Sequence, residues 1–206
     1  MKSKQFFARH LTRNDIVRHG LSRPGHHVFY RMEMEYDAAL NVYSSLVDKL
    51  NEIQISKDIT IKSLKHPKET NEFLFLYNAI FLMAPDPSRT ITFEEAIGFP
   101  EERTFVAWLW SGMAGFIYLT IEKDPLGSDE TVGAIAGIGV LAKYRGRKIG
   151  LKLLKHAIDY FRDKGITKLV CEIYEHNEAS MRMFSGLGMS VVGTMILEEE
   201  QPEVVL

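Results

Sequence analysis

An uncharged run at residues 132–142 (VGAIAGIGVLA) leads into a basic, glycine-bearing turn at 144–150 (YRGRKIG) and then an amphipathic stretch ending at Gly165. The run is too short to span a membrane and is rich in small and β-branched residues, which predicts a buried strand. Beyond it, Gly150, Leu153, Leu154, Ala157, Ile158 and Phe161 recur at the spacing of one helix face, with Lys152, Lys155, Asp159 and Arg162 opposite. Gly165 stops that helix. The chain is therefore committed to strand, tight turn and helix in succession.

Such a turn aims free backbone N–H groups at one point. The first N–H groups of a helix have no internal partner, and the helix dipole makes that end positive. Gly146 and Gly150 let an anion approach the backbone, and Arg145, Arg147 and Lys148 add mobile positive charge. The guest this predicts is a phosphate or diphosphate. A nucleotide-triphosphate loop would need Gly-Lys-Ser/Thr, which is missing here. A dinucleotide fingerprint would need three spaced glycines and a later acid, and the spacing does not fit.

The turn resembles the Q/R-x-x-G-x-G/A motif of the GNAT superfamily, the general N-acetyltransferases. Arg145 takes the first place, Gly150 the last, and Lys148 stands where the middle glycine falls. Farther on, residues 177–189 (NEASMRMFSGLGM) resemble the family's N-x-x-A-x-x-x-Y-x-x-x-G-F segment. Asn177 and Gly188 match, while Ser180, Phe184 and Met189 replace Ala, Tyr and Phe. The resemblance covers about residues 59–200. It implies an α/β (α+β) fold: a mixed, mostly antiparallel sheet with a splayed parallel strand pair that binds coenzyme A, and helices on both faces. By the same resemblance Ile138, Gly139 and Val140 contact the pantetheine arm. Arg145, Gly146, Arg147, Lys148, Ile149, Gly150 and Leu151 surround the diphosphate. Asn177, Ser180 and Phe184 complete the cofactor contacts, and the donor is acetyl-CoA.

The 206 residues suffice for one core with an extension, read as residues 1–58 docked on a main domain at 59–206. Net charge is −2, so no bulk attraction to nucleic acid or an anionic membrane is expected. Tyr144 is the one aromatic of the basic turn, which therefore lacks the interleaved aromatics of a nucleic-acid patch. The single cysteine, Cys171, falls in a predicted core strand and reads as a buried thiol. MKSKQFFARH has no apolar signal region, which gives a cytoplasmic expectation. Residues 104–121 form a second uncharged run, but Ser111 and Gly112 interrupt it, so strands at 105–110 and 114–121 joined by a turn are expected.

In the extension, 28–36 alternates from Tyr30 onward as a half-buried strand, and Ala39, Val42, Tyr43, Leu46, Leu50 and Ile53 share one face of a helix capped by Asp37. One strand and one helix bury too little alone, so this piece docks on the main domain or on a second subunit, as in a homodimer. Its junction with ITIKSL resembles the join in double-GNAT, mycothiol synthase-like chains. His10, His19, His26 and His27 show no ligand spacing, and no metal is expected. In the main domain a strand at 59–64 precedes a helix opened by Pro67, and Thr92-x-x-Glu95 is a capping box. The resemblance makes Asp86, Arg89 and Glu94 candidate acceptor contacts. Residues 122–131 read as a turn, 167–174 and 189–197 as strands, and 198–200 as a solvated tail.

The implied reaction is acetyl transfer from coenzyme A to a primary amine of a small molecule, peptide or protein. A lysine-like amine has a pKa of about 10.4, so neutrality at pH 7 costs about 4–5 kcal/mol unless a base assists. Strand 132–140 carries no acid. Glu172 and Tyr174 are the first candidates through a water chain, with Glu122, Glu175 and His176 behind them. The N–H of Val140 or Leu141 is the candidate oxyanion donor. The family's acid, a tyrosine, is Phe184 here; a thiolate is stable enough to leave without strong help, and water, Tyr174 or Tyr118 are the candidate substitutes. The alternative is a non-catalytic acyl-CoA-binding sensor or interaction module of the same fold.

Overall fold

The computed structural model describes residues 6–11, 26–35, 37, 58–87, 90–124 and 130–199. Among them, eight strands form one sheet: β1 Phe6–Leu11, β2 His26–Glu35, β3 Ile59–Ser63, β4 Thr104–Leu109, β5 Gly112–Lys123, β6 Thr131–Val140, β7 Lys168–Tyr174 and β8 Ser190–Glu199. The helices are α1 Thr70–Phe81, α2 Phe93–Ile97, α3 Ile149–Asp163 and α4 Glu178–Gly186. The sheet order is β1-β8-β2-β7-β6-β5-β4-β3. Every neighbouring pair is antiparallel except β6 and β7. This is the mixed, mostly antiparallel architecture that the family resemblance implies.

Strand alternation sorts the core onto two faces. On β4, Phe105, Ala107 and Leu109 face the cluster built with α3, while Val106 faces the one built with α1 and α2. The uncharged run 104–121 is the expected hairpin, closed at Trp110 and Ser111. Trp110 sits at φ 55, the sign of φ that a two-residue hairpin turn demands. On α3, Leu153, Leu154, Ala157, Ile158 and Phe161 are buried as the spacing predicts. Its end is closed by Gly165 at φ 67, whose N–H reaches the Arg162 carbonyl at 3.0 Å, while the Ile166 N–H reaches that of Phe161 at 3.1 Å. The Thr92 capping box is made in both directions. α1, however, starts at Thr70, after a turn that contains Pro67.

The amino-terminal strands belong to this same sheet. β2 is an interior strand, bonded to β7 on one side and β8 on the other. β1, which no pattern in the sequence announced, pairs with β8. The expected tail at 198–200 is corrected in part: Glu198 and Glu199 pair with Phe7 and Phe6 as the end of β8. β2 also departs from a half-buried strand. Met32 and Met34 are buried as predicted, but Arg31, read as solvent-facing, is 1% exposed. Carboxylates around its guanidinium replace water, which is why a charged residue is tolerated there. The helix expected at 39–53 lies outside the described residues.

Candidate active site

The sheet opens at one point. β6 and β7 pair in parallel through Gly133–Leu169, Ala134–Val170 and Ile135–Cys171, then stop, although β6 runs on to Val140 and β7 to Tyr174. At the same place β6 slips against β5: Leu119 faces Ile135 and Tyr118 faces Gly137, so Ala136 is an extra, bulged residue. The Leu141 N–H donates to the Ala114 carbonyl of β5 at 2.9 Å. Main-chain groups alternate sides along a ladder, so those of Val140 and Ile138 point away from β5, into the gap. Of the two N–H groups expected to serve as oxyanion donor, Leu141 is therefore already engaged. Gly139 has a tighter constraint than a ligand. A Cβ there would lie 2.4 Å from Ile80 Cγ2, so this glycine lets α1 pack on β6.

Beyond β6 the chain makes a single 3-10 turn, Ala142–Tyr144, and enters α3 through residues 145–148. Among the described residues, no main-chain acceptor meets the N–H groups of residues 146–151. Gly146 lies at φ 78 with open space around it. Lys148, at the position of the family's middle glycine, sits at φ 64 and ψ 14. The left-handed backbone that a glycine takes at little cost is thus kept by a lysine. Arg145, Arg147 and Lys148 are all exposed, and the turn is not covered by side chains. Arg147 rests its guanidinium carbon 5.8 Å from the Trp110 ring centre, and Arg145 Nε donates to the Val140 carbonyl at 3.4 Å.

A cleft of about 320 Å³ runs from this turn through the gap. Its walls bring together Ile138, Gly139, Val140, Arg145, Gly150, Glu172, Asn177, Ser180 and Phe184 from the sequence-predicted set. Gly146, Arg147, Lys148, Ile149 and Leu151 are not part of the walls. The first three lie on the exposed turn, and the Ile149 side chain is buried in the core beneath it, with Leu151 packed against that core. Asn177 caps α4 by accepting from the Ser180 N–H at 3.1 Å, and its Nδ2 donates to Asp86 Oδ2 at 2.7 Å. That bond straps the segment after α1 to the start of α4 across the cleft mouth. Burial pushes the Asp86 carboxyl above its ordinary range, against the pull of the Asn177 hydrogen bond. Glu94 is exposed on α2 and takes no part in the cleft, and Arg89 lies outside the described residues.

The residues read as catalytic separate. Glu172 lies in the cleft wall, one residue past the last β6–β7 pair. Tyr174 is absent from that wall and packs its ring against Phe29 and His176. Tyr118 packs on Phe99, so among the described residues no tyrosine hydroxyl lines the cleft. Phe184 is 2% exposed and supplies an apolar wall. Cys171 also borders the fork, and burial drives its thiol pKa far up, which keeps it protonated and poorly nucleophilic. No group of three His, Cys, Asp or Glu side chains among the described residues could hold a metal. No helix among them is long and apolar enough to cross a membrane. Sequence reading missed Arg31, which bonds Asp124 at 3.1 Å, Glu33 at 3.1 Å and Glu172 at 3.4 Å. An arginine at a polar place in an alternating strand carries no signal that sets it apart from a solvated one.

Comparison with known proteins bears on this arrangement. A model of the acetyltransferase (GNAT) family matches residues 71–189. Mycothiol acetyltransferase of Rhodococcus erythropolis is 24% identical over 154 residues, which is 68% of this chain and 49% of that protein. N-alpha-acetyltransferase 30 of Schizosaccharomyces pombe is 32% identical over 74 residues, or 35% of this chain and 49% of that protein. The chain thus matches about half the length of these curated relatives. Among solved structures, a GCN5-related N-acetyltransferase from Sphaerobacter thermophilus aligns with a TM-score of 0.61 at 16% identity, covering 99% of this chain and 62% of the other. An aminoglycoside acetyltransferase from an uncultured soil metagenomic sample aligns at 0.53 and 16% identity, covering 65% and 90%. Both share the fold. With the family model matched over most of the stretch from α1 to β8, the chain belongs to the acetyltransferase (GNAT) family.

Proposed function

We propose that this protein is an acetyl-CoA-dependent N-acetyltransferase that moves an acetyl group to a primary amine by direct attack. The observation that carries the reading is the fork at Ile135 and Cys171. There, main-chain groups of β6 turn toward a gap in the sheet, and the gap leads to the uncovered turn before α3. An extended arm bearing amides satisfies such an edge as another strand would. The N–H groups of residues 146–151 and the charges of Arg145, Arg147 and Lys148 suit the diphosphate of coenzyme A. Phe184 gives the arm an apolar wall, with Asn177 and Ser180 beside it. We read residues 59–206 as the acetyltransferase unit, with residues 6–11 and 26–35 completing its sheet.

In the transfer, the amine nitrogen bonds to the acetyl carbon, and the C–S bond breaks with its electron pair leaving on sulfur. The proton lost by the amine passes to Glu172, directly or through water. The thiolate of coenzyme A is a good leaving group, since a thiol is far more acidic than an alcohol or amine (about 8.5 for cysteine), so departure needs no tyrosine where Phe184 stands. The Val140 N–H, turned into the gap, suits the developing oxyanion.

Acetyl-CoA at 100 times its dissociation constant should add about 2.7 kcal/mol of stability, which for a chain of this size is about 5–10 °C in Tm. Acetyl-pantetheine, which lacks the diphosphate, should give much less at the same concentration. No shift with acetyl-CoA would overturn the reading. A shift with neither amine-stimulated thiol release nor any acetylated product would mark a binding module without turnover.

A further inference from the structure

The cofactor cleft ends at the fork, and a second cavity begins there. This pocket, of about 230 Å³, shares Ile135, Ala136, Cys171 and Glu172 with the cleft and extends past them to Arg31, Thr120 and Glu122. The two spaces therefore adjoin at the bulge, with Glu172 bordering both. Its far wall comes from β2, the strand the amino-terminal segment inserts between β7 and β8.

The charges around this pocket are one-sided. Arg31 is buried and already bonded to Asp124, Glu33 and Glu172, with Glu122 at 4.0 Å. Its neighbours leave it little capacity to bind a carboxylate or phosphate on an incoming molecule, so it acts by fixing the acids around it. Lys168 lies 4.0 Å from Glu33 but is held 2.8 Å from Glu130. Among the described residues, four carboxylates thus surround one guanidinium, and Glu122, with 43% of its side chain exposed, faces solvent at the rim. A field of that sign draws cations and repels anions.

We propose that this pocket takes the acceptor, and that the acceptor is a small amine carrying at least one further positive charge. Its reacting nitrogen sits by Glu172 at the fork and its second cation by Glu122. The inference rests on the acetyltransferase reading given above and goes beyond it by naming the acceptor class.

Three amines of matched length test it on the full chain with acetyl-CoA, read by free thiol release and product mass: 1,4-diaminobutane, butylamine and 4-aminobutyrate. The expected kcat/KM for the diamine is at least tenfold that of butylamine and at least a hundredfold that of 4-aminobutyrate. Glu122→Gln should erase most of the diamine's lead over butylamine by raising its KM, with the KM for acetyl-CoA unmoved. Equal turnover of the diamine and 4-aminobutyrate, or an undiminished lead in Glu122→Gln, overturns the proposal. So does inertness of all three amines while acetyl-CoA still raises Tm, an outcome that spares the cofactor reading. Absence of that Tm shift overturns both.

Discussion

The two halves of β6 are made of the same small and branched residues and are built into the molecule in opposite ways. Val132, Gly133, Ala134 and Ile135 are buried and bonded to β5 on one side and, from Gly133, to β7 on the other. Gly137, Ile138, Gly139 and Val140 keep β5 alone and are half-buried. Hydrophobicity does not separate the halves. What differs is who holds the neighbours: β7 stays paired with β2 along its whole length, β6 stays paired with β5, and the Ala136 bulge turns β6 as its bonds to β7 end. An open edge arises here because a sheet stops satisfying its own backbone, and the groups so released require some other partner.

The largest effect tests the point of divergence. Glu172 is the first residue of β7 beyond the last pair, and in the proposed reaction it receives the proton of the amine. Glu172→Gln should lower kcat by about 10²–10³-fold with little change in acetyl-CoA affinity. The limb of the pH–rate profile that reports the base should vanish with it. An unchanged kcat would move the base elsewhere and leave the fork as a binding feature only.

Next in size is a pair of alanines, one in each half. A Cβ on Gly133 would meet three ring atoms of Phe161 at 2.6–2.9 Å, and that ring is fully buried under α3. Gly133→Ala should cost about 1–3 kcal/mol, seen as a lower denaturation midpoint, with the cofactor site intact in what remains folded. At Gly139 the first clash is with one terminal carbon of Ile80, whose side chain also lines the cleft. Ile80 is β-branched and stiff at χ1, so relief comes by shifting the last turn of α1, and Ile80 with it, against that space. Gly139→Ala should therefore cost less stability and more acetyl-CoA affinity. The reverse ranking would mean that the open half is as rigid as the zipped one.

The strand–turn–helix unit was legible because its signals are local: Gly165 ends α3, Asn177 caps α4, and the apolar spacing of α3 maps directly onto its buried face. The fork was legible only through the family resemblance. Nothing in residues 136–140 themselves says that pairing ends at Ile135, since that is decided by the distant strands β2 and β5. Arg31 was illegible for a similar reason. Alternation assigns it to solvent, and its burial depends on Asp124 and Glu172, each far away along the chain. Tyr174 looked available for chemistry because composition cannot show that Phe29 and His176 cover its ring.

A smaller effect comes from the turn that the open half leads into. Lys148 holds a left-handed backbone that costs a non-glycine residue about 1–2 kcal/mol, partly offset by the lower entropy of lysine in the unfolded chain. Lys148→Gly should raise stability by about 0.5–1 kcal/mol in chemical denaturation. It should also weaken acetyl-CoA binding slightly by removing a cation from the diphosphate site. If stability falls instead, the lysine makes a contact that outweighs its backbone strain.

The smallest effect is one of pH, at the mouth of the open half, where Asp86 and Asn177 join the two sides. Burial raises the Asp86 carboxyl above its ordinary value of 3.8. Between that value and the raised one, the folded chain binds more protons at this site than the unfolded chain does. Stability therefore falls as pH rises through that window, and the penalty persists at neutral pH. Asp86→Asn has no proton to lose, and its amide oxygen can still accept from Asn177 Nδ2. The variant should melt above the parent at pH 7, and the gap should shrink as pH drops toward and below 3.8. A difference in Tm that stays flat across pH would mean that Asp86 is well solvated, and that the strap across the mouth stands open in solution.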